Sequence, residues 1–168
     1  MALIGRCEPQ LLALLKGVYD VIPPSVVSVL SSKQLKKMVC GCSNEIDVQD
    51  WELHTKYSPP TAKESQVIRW FWEIVHALSK TEKSNLLRFC TSSSSVPAGG
   101  FGMYMNRNGT SSVKFTITID QGTVASDTDL PQAHTCFYRI HLPNYTNKKA
   151  LQKGLNVCIQ NNVGFGSE

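Results

Sequence analysis

The sequence has no apolar run long enough to cross a membrane. Its most leucine-rich stretch, LLALL at 11–15, has five residues, whereas a membrane-spanning helix needs about 20. Glu8 and Pro9 precede this stretch, and no small-residue cleavage site follows it, which is unlike a secretory signal peptide. These absences predict a protein of the cytosol or the nucleus that has no membrane partner.

The chain also has few charged side chains, and they are not concentrated. Asp, Glu, Lys and Arg make up 18% of its 168 residues, below the usual share of about 25%. The net charge of +4 divides into +3 over residues 1–43, with five basic and two acidic side chains, and +1 over residues 44–168, with 12 and 11. A nucleic-acid-binding domain normally has a concentrated basic patch. No nucleic-acid partner is therefore expected.

The six cysteines lack the spacing of a metal site. Cys40 and Cys42 form a C-x-C pair, and no C-x-x-C pair or regularly spaced histidine accompanies them, so we expect no zinc or other metal. In a reducing compartment the cysteines are expected to be free thiols. Cys90 and Cys158 lie on apolar helix stripes, where a small buried thiol is the simplest interpretation.

Apolar periodicity changes along the chain from helical to strand-like. Helices are predicted over 11–18, from Pro24, from Ser32, over 47–53, around 67–78, over 79–90 and from 146 or 147 to 159. Thr61 with Glu64 and Ser79 with Glu82 have the spacing of capping boxes at helix starts. Strands are predicted over 113–119 and 136–142, with a polar loop over 121–129 between them. This pattern predicts an α/β (α+β) protein.

The charge balance changes at Gly41-Cys-Ser-Asn44, which is a plausible hinge. The short helices before it are too few to enclose a core, so they indicate the edge of something larger. We therefore predict two parts, a helical segment over 1–43 and a mixed α/β domain over 44–168.

Cys136 is the only cysteine with a histidine two residues away. In an extended segment such positions face the same side, so His134 would approach the thiol. A free cysteine has a pKa of about 8.5, and a nearby imidazole favours the nucleophilic thiolate. The same histidine would equally serve to bond a loop carbonyl, and this one pair does not decide between the two interpretations. No protease signature accompanies it.

Four motifs in order resemble those of HECT-type ubiquitin ligases. The segment LPQAHTCFYRIHLPNY at 130–145 resembles the catalytic-cysteine segment of that family. The other three are VIRWFWEIV at 67–75, LLRFCTSSSSVPAGGF at 86–101 and GFGSE at 164–168, while 16–41 resembles the end of the family's N-terminal lobe (N-lobe). The resemblance implies a C-terminal lobe (C-lobe) with a mixed sheet flanked by helices over 44–168. A short helical remnant of the N-lobe precedes it over 1–43.

The same resemblance implies an acyl relay without a cofactor. A conjugating enzyme, ubiquitin and a protein substrate with an acceptor lysine would be the partners, and Cys136 would hold ubiquitin as a thioester. His134 and Thr135 would be its neighbours, and Phe137 would hold the loop to the strand. In the C-terminal tail, Phe165 matches an aromatic residue associated with lysine transfer, and the Glu168 carboxylates would orient or deprotonate the lysine.

The chain departs from the family pattern in two positions and in length. Many members have Asn where this chain has Tyr138, and an acid where it has His141, so the acid that activates lysine has no secure position here. Asp127 and Asp129 are the nearby acids. Most of the N-lobe, which carries the docking surface for the conjugating enzyme, is absent. An alternative is therefore a truncated, non-catalytic C-lobe that binds ubiquitin or interferes with the intact ligase; an unrelated cysteine hydrolase is a third hypothesis.

Overall fold

The computed structural model describes residues 7–40, 46–97, 99–105, 111–126 and 128–161. It divides into two compact units, Met1–Val39 and Cys40–Glu168. The predicted hinge at 41–44 lies outside the described residues, so the boundary between residues 43 and 44 stays a prediction. Within the described parts, no helix is both long enough and apolar enough to span a bilayer.

The described residues of the first unit form three helices. They are α1 (Glu8–Val21), α2 (Pro24–Ser28) and α3 (Ser32–Cys40). Helix α1 ends at the double proline, as predicted, because a residue that precedes proline disfavours the helical conformation. None of the side chains described over 7–39 is buried, and the exposed ones include Leu12, Leu14 and Val29. This unit has no core of its own among the described residues.

The second unit contains the sheet and its helices. In chain order they are α4 (Val48–Leu53), β1 (Thr55–Ser58), α5 (Gln66–Ala77), α6 (Lys80–Thr91), β2 (Phe115–Val124), β3 (Gln132–His134), β4 (Arg139–Asn144) and α7 (Lys148–Asn161). The strand order is β1-β2-β4-β3, with β1, β2 and β4 parallel and β3 antiparallel to β4. The predicted α/β (α+β) class, a mixed sheet flanked by helices, is confirmed.

One face of the sheet is buried under helices. Phe115, Ile117 and Ile119 of β2 are buried, while the threonines between them are half-buried. Helix α7 packs against α5 and α6, and α6 also contacts β3 and β4. The Trp51 side chain is fully buried in this core, stacked on the Phe101 ring at 5.0 Å between centroids. Strands β3 and β4, which flank the candidate nucleophile Cys136, thus lie against a helix layer with a packed core.

Three predictions about element bounds were wrong. Helix α5 is not capped by Thr61, which lies inside a 3₁₀ helix over Pro60–Glu64; Ser65 is its N-cap, and its hydroxyl accepts the Ile68 N–H. Strand β2 continues to Val124, into the predicted loop. The predicted strand over 136–142 begins only at Arg139, because residues 135–137 form a 3₁₀ turn.

Two short strands were not predicted at all. Strand β1 (Thr55–Ser58) lies just before the double proline at 59–60, and β3 (Gln132–His134) lies between the predicted loop at 121–129 and the predicted strand at 136–142. Each is at an edge of the sheet, next to β2 or β4 respectively. Strand β3 ends at His134, so Cys136 lies in the turn that follows it.

Candidate active site

Cys136 lies in a tight turn between two paired strands. Strands β3 and β4 pair as an antiparallel hairpin, with His134 opposite Arg139, and the turn Thr135–Phe137 connects them. The Tyr138 N–H donates to the Thr135 carbonyl at 3.2 Å and closes the turn. The Cys136 thiol is free and exposed. Cys136 is therefore open to reagents in solvent.

The turn ends in a residue with a left-handed backbone conformation. Tyr138 has φ 48° and ψ 49°, a region that costs an L-residue other than glycine about 1–2 kcal/mol. Its carbonyl accepts the Thr116 N–H at 2.9 Å, which ties the turn to β2. Its ring lies 4.5 Å from the Tyr104 ring, centroid to centroid. The Tyr138 backbone and side chain therefore both attach the turn to the rest of the domain.

The other predicted neighbours of Cys136 differ in their surroundings. Thr135 is half-buried and its carbonyl closes the turn. His134 ends β3 and is exposed, and no hydrogen bond joins its ring to Cys136 or to a carbonyl of another described residue. The expected approach of His134 to Cys136 assumed an extended segment, which the 3₁₀ turn interrupts. A supporting role for His134 stays a prediction.

The role predicted for Phe137, holding the loop to the strand, stays a prediction. Its side chain is 65% exposed, and the adjacent Tyr138 ring packs instead. The left-handed conformation at residue 138 accounts for the difference, because it interrupts the regular alternation of side chains along the chain. Phe137 is therefore an exposed apolar group beside the thiol.

The segment that precedes β3 accepts hydrogen bonds from Tyr145, which follows β4, and from Cys158 of α7. The Tyr145 hydroxyl donates to the Asp129 carbonyl, and the Cys158 thiol donates to the Pro131 carbonyl at 3.5 Å. Burial, with smaller effects of Cys158 and Asp129, raises the pKa of Tyr145 to about 12, and burial raises that of Cys158 to about 11. Both groups therefore keep the proton that they donate at neutral pH.

Gly154 in α7 leaves room for this contact. A Cβ atom at this position would lie 2.6 Å from the Tyr145 hydroxyl oxygen and 3.0 Å from Pro131 Cδ. Alanine normally stabilises a helix interior by about 1 kcal/mol relative to glycine. At position 154 we expect alanine to destabilise the protein instead, because the Tyr145 hydroxyl is held by its hydrogen bond and Pro131 is buried.

We expect Gly154→Ala to lower the free energy of unfolding by about 1–3 kcal/mol, as overpacking does elsewhere. Chemical denaturation measures this change, and Lys153→Ala on the exposed side of the same helix is the control. Tyr145→Phe removes the obstructing oxygen, so Gly154→Ala should cost less in that background. An equal cost in both backgrounds would mean that the hydroxyl does not limit the space.

Cys136 differs from the buried cysteines. Cys90 and Cys158 are buried, as expected, and burial together with the nearby Cys158 thiol raises the pKa of Cys90. Cys7 is also an exposed thiol, and it precedes α1.

The chain matches the model of the HECT domain, described as a ubiquitin-transferase, over residues 1–168. It belongs to the HECT-domain family. Among curated HECT ligases, it is 37% identical to the E3 ubiquitin-protein ligase pub1 of Schizosaccharomyces pombe over 97% of its length. It is 35% identical to human NEDD4 over 96% of its length, and 32% identical to RSP5 of Saccharomyces cerevisiae over 99%.

The HECT chain spans only part of these relatives. It covers 20% of the length of pub1, 12% of human NEDD4 and 20% of yeast RSP5. The tail residues Phe165 and Glu168 lie outside the described residues, as does Asp127, so their predicted roles stay predictions.

An open cleft lies toward the other end of the β3–β4 hairpin. It has a volume of about 260 Å³ and is lined by Asp120, Asp129, Gln132, His141 and Asn144, among others. His141 shares a hydrogen bond with the Thr118 hydroxyl at 3.0 Å, and the Asp129 carboxylate accepts the Ser126 N–H. Gln132 pairs with His141, and both line the cleft, whereas His134 pairs with Arg139 at the opposite end of β3. Cys136 follows His134, so it lies at the end of the hairpin that is away from the cleft. The cleft therefore does not place an acid at the thiol of the HECT chain.

The sequence did not reveal the residues that hold the turn. Tyr104, Tyr145 and Gly154 contact the Cys136 hairpin or the segment that leads into it. The glycine inside the apolar stripe of α7 was the one available signal, since an isolated glycine in a helix often has a packing reason. Within the described ranges of this HECT chain, no group of three His, Cys, Asp or Glu side chains could hold a metal ion.

Proposed function

We propose that this chain is a catalytic part of a HECT ubiquitin ligase in which Cys136 carries ubiquitin as a thioester. The observation that supports this most is the exposure of a free thiol at the tip of the β3–β4 hairpin. That turn lies inside the segment that resembles the family's catalytic segment. Membership in the HECT family supports ubiquitin transfer in general, and the assignment to Cys136 is our proposal.

The proposed reaction has two acyl transfers. In the first, the Cys136 thiolate attacks the thioester carbonyl that joins ubiquitin to a conjugating enzyme; a new sulfur–carbon bond forms and the enzyme's cysteine leaves as a thiolate. In the second, a substrate lysine amine attacks the Cys136 thioester, an amide forms, and the Cys136 thiolate leaves as the amine loses a proton. The first exchange is nearly balanced, whereas amide formation makes the second favourable.

The partners follow from this chemistry. They are ubiquitin, a ubiquitin-conjugating enzyme and a protein with an acceptor lysine. A thiol nucleophile needs reducing conditions to stay free, so we place the reaction in the cytosol or nucleus.

A second candidate is a C-lobe that binds ubiquitin without accepting it, and the exposure of helices α1–α3 favours it. The side chains described over 7–39 include no buried residue, so these helices form no core of their own that would support a docking surface. Such a chain would keep the Cys136 hairpin and lack an efficient way to load it. It could then interfere with the intact ligase by occupying ubiquitin.

One experiment separates the two candidates. The chain is mixed with a ubiquitin-loaded conjugating enzyme and analysed on a non-reducing gel, and the modified peptide is identified by mass spectrometry. We expect an adduct that a thiol reductant removes, with ubiquitin's carboxyl end on the peptide that contains Cys136. Ubiquitin binding without an adduct would favour the second candidate, and an adduct on Cys7 would contradict the site assignment.

A further inference from the structure

Tyr138, which ends the turn that carries Cys136, has an unfavourable backbone conformation and a favourably packed side chain. Tyr138 adopts the left-handed conformation, which is unfavourable for a bulky side chain and readily adopted by asparagine. Its ring is half-buried on Tyr104, which is itself buried and lies 5.8 Å from the Phe101 ring. Packing of the ring thus offsets the unfavourable backbone conformation.

Phe101, on which the Tyr104 ring packs, is itself attached to α4. The Phe101 N–H donates to the Asp50 carboxylate at 2.8 Å, and the Phe101 ring stacks on Trp51. Tyr104 follows Phe101 in the same short segment. The Tyr104 ring therefore offers Tyr138 a surface that is fixed to the core.

We propose that Tyr138 is a positioning residue for Cys136, and that its left-handed backbone conformation is the property that matters. That conformation places the Tyr138 N–H on the Thr135 carbonyl and the Tyr138 carbonyl on the Thr116 N–H. The first bond joins the two ends of the 135–138 segment that holds Cys136, and the second attaches the Tyr138 end of that segment to β2. The role of the Tyr104 ring is to stabilise this conformation. The proposal rests on the function proposed above for Cys136.

Two substitutions at position 138 separate the effect of the backbone conformation from the effect of the ring. Tyr138→Asn removes the ring and keeps a residue that tolerates the left-handed region, whereas Tyr138→Ala removes the ring and leaves an unfavourable backbone. We expect Tyr138→Asn to load ubiquitin at a rate within about twofold of the unmodified chain, and Tyr138→Ala to load about tenfold more slowly. The slower rate should persist at saturating concentrations of the loaded conjugating enzyme, because positioning affects the reacting thiol and not the docking of its donor.

Ser92 provides a matched control for backbone strain. It is exposed, ends α6 with φ 63°, and donates its N–H to the Arg88 carbonyl. Ser92→Ala and Ser92→Asn change the same backbone preference outside the Cys136 hairpin. Both variants should load ubiquitin at the original rate per folded molecule.

Hydrogen exchange tests the conformation without ubiquitin. The Thr116 amide, which is bonded to the Tyr138 carbonyl, should stay protected in Tyr138→Asn and exchange at least tenfold faster in Tyr138→Ala, which are our proposed magnitudes for loss of a closed turn. Equal loading or equal exchange in the two variants would overturn the positioning role. A chain that never loads ubiquitin would instead contradict the proposed function, and the exchange result would still support or overturn the conformational claim.

Discussion

Replacing Cys136 by alanine is expected to abolish the ubiquitin adduct completely. The side-chain sulfur is the atom that forms the new bond, and no neighbouring group can replace it as a nucleophile in the proposed relay. Since Cys136 is exposed, its removal leaves no buried cavity, and the free energy of unfolding should change by less than about 0.5 kcal/mol. Non-reducing gels measure the adduct, and denaturation measures the stability.

Cys7→Ala is the matched control for this prediction, because Cys7 is also exposed and free. It should leave the adduct intact. Cys90→Ala and Cys158→Ala should also leave it intact, although as buried residues they should lower stability. An adduct that survives Cys136→Ala and disappears in Cys7→Ala would show that the site assignment is wrong.

A serine at position 136 supplies a chemical signature of the same site. Cys136→Ser would form an oxygen ester in place of a thioester, so any adduct should resist thiol reductant and be cleaved by hydroxide. The oxygen nucleophile is weaker at neutral pH, and its adduct should form more slowly. A reductant-sensitive adduct on the serine variant would mean that another cysteine carries ubiquitin.

Local sequence signals predicted the longer helices because those signals act within one turn. In α6 the Ser79 N–H donates to the Glu82 carboxylate at 2.8 Å, and the Ser79 hydroxyl accepts the Glu82 N–H. The Ser79 hydroxyl, which also donates to the Glu82 carboxylate at 2.6 Å, and the Ser79 N–H both lower the pKa of Glu82. Thr61 and Glu64 have the same spacing, but they lie in a 3₁₀ helix that begins at Pro60. Spacing alone does not distinguish a true cap from such a segment.

The short strands were not predictable in this way, because their partners determine them. Strand β1 has four residues and β3 has three, too few for an alternating pattern to be seen. Each becomes a strand by pairing with β2 or β4. Pairing between distant segments is a tertiary effect that a single-chain pattern does not contain.

For the candidate site, the motif located Cys136 but not the geometry of its turn. The expected extended segment is interrupted by the 3₁₀ turn at 135–137, which ends at the left-handed Tyr138, and tyrosine is a residue for which this conformation is disfavoured. Its partner Tyr104 is in a different segment. A candidate nucleophile could therefore be named from its residue type and motif. The packing of Tyr138 on Tyr104, which joins two separate segments, could not be predicted in this way.

Deletion of residues 164–168 is expected to separate the two transfers. If Phe165 and Glu168 act on the acceptor lysine, the deletion variant should load Cys136 at a rate within about twofold of the full chain and transfer ubiquitin to lysine about 100-fold more slowly, the scale of a misplaced acceptor. The reason is that the first transfer has no lysine in it. A pulse-chase experiment measures both steps: Cys136 is loaded, loading is stopped, and lysine is added.

Two further variants assign that loss to a side chain. Phe165→Ala should reproduce most of the defect if the aromatic ring orients the acceptor, and Glu168→Gln tests the side-chain carboxylate alone. A small thiol offered in place of lysine is the control, because it should discharge the thioester equally fast from the full and shortened chains. Equal slowing of loading and of lysine transfer would contradict this division between Cys136 and the tail, since a residue that acts only on the acceptor leaves loading unchanged.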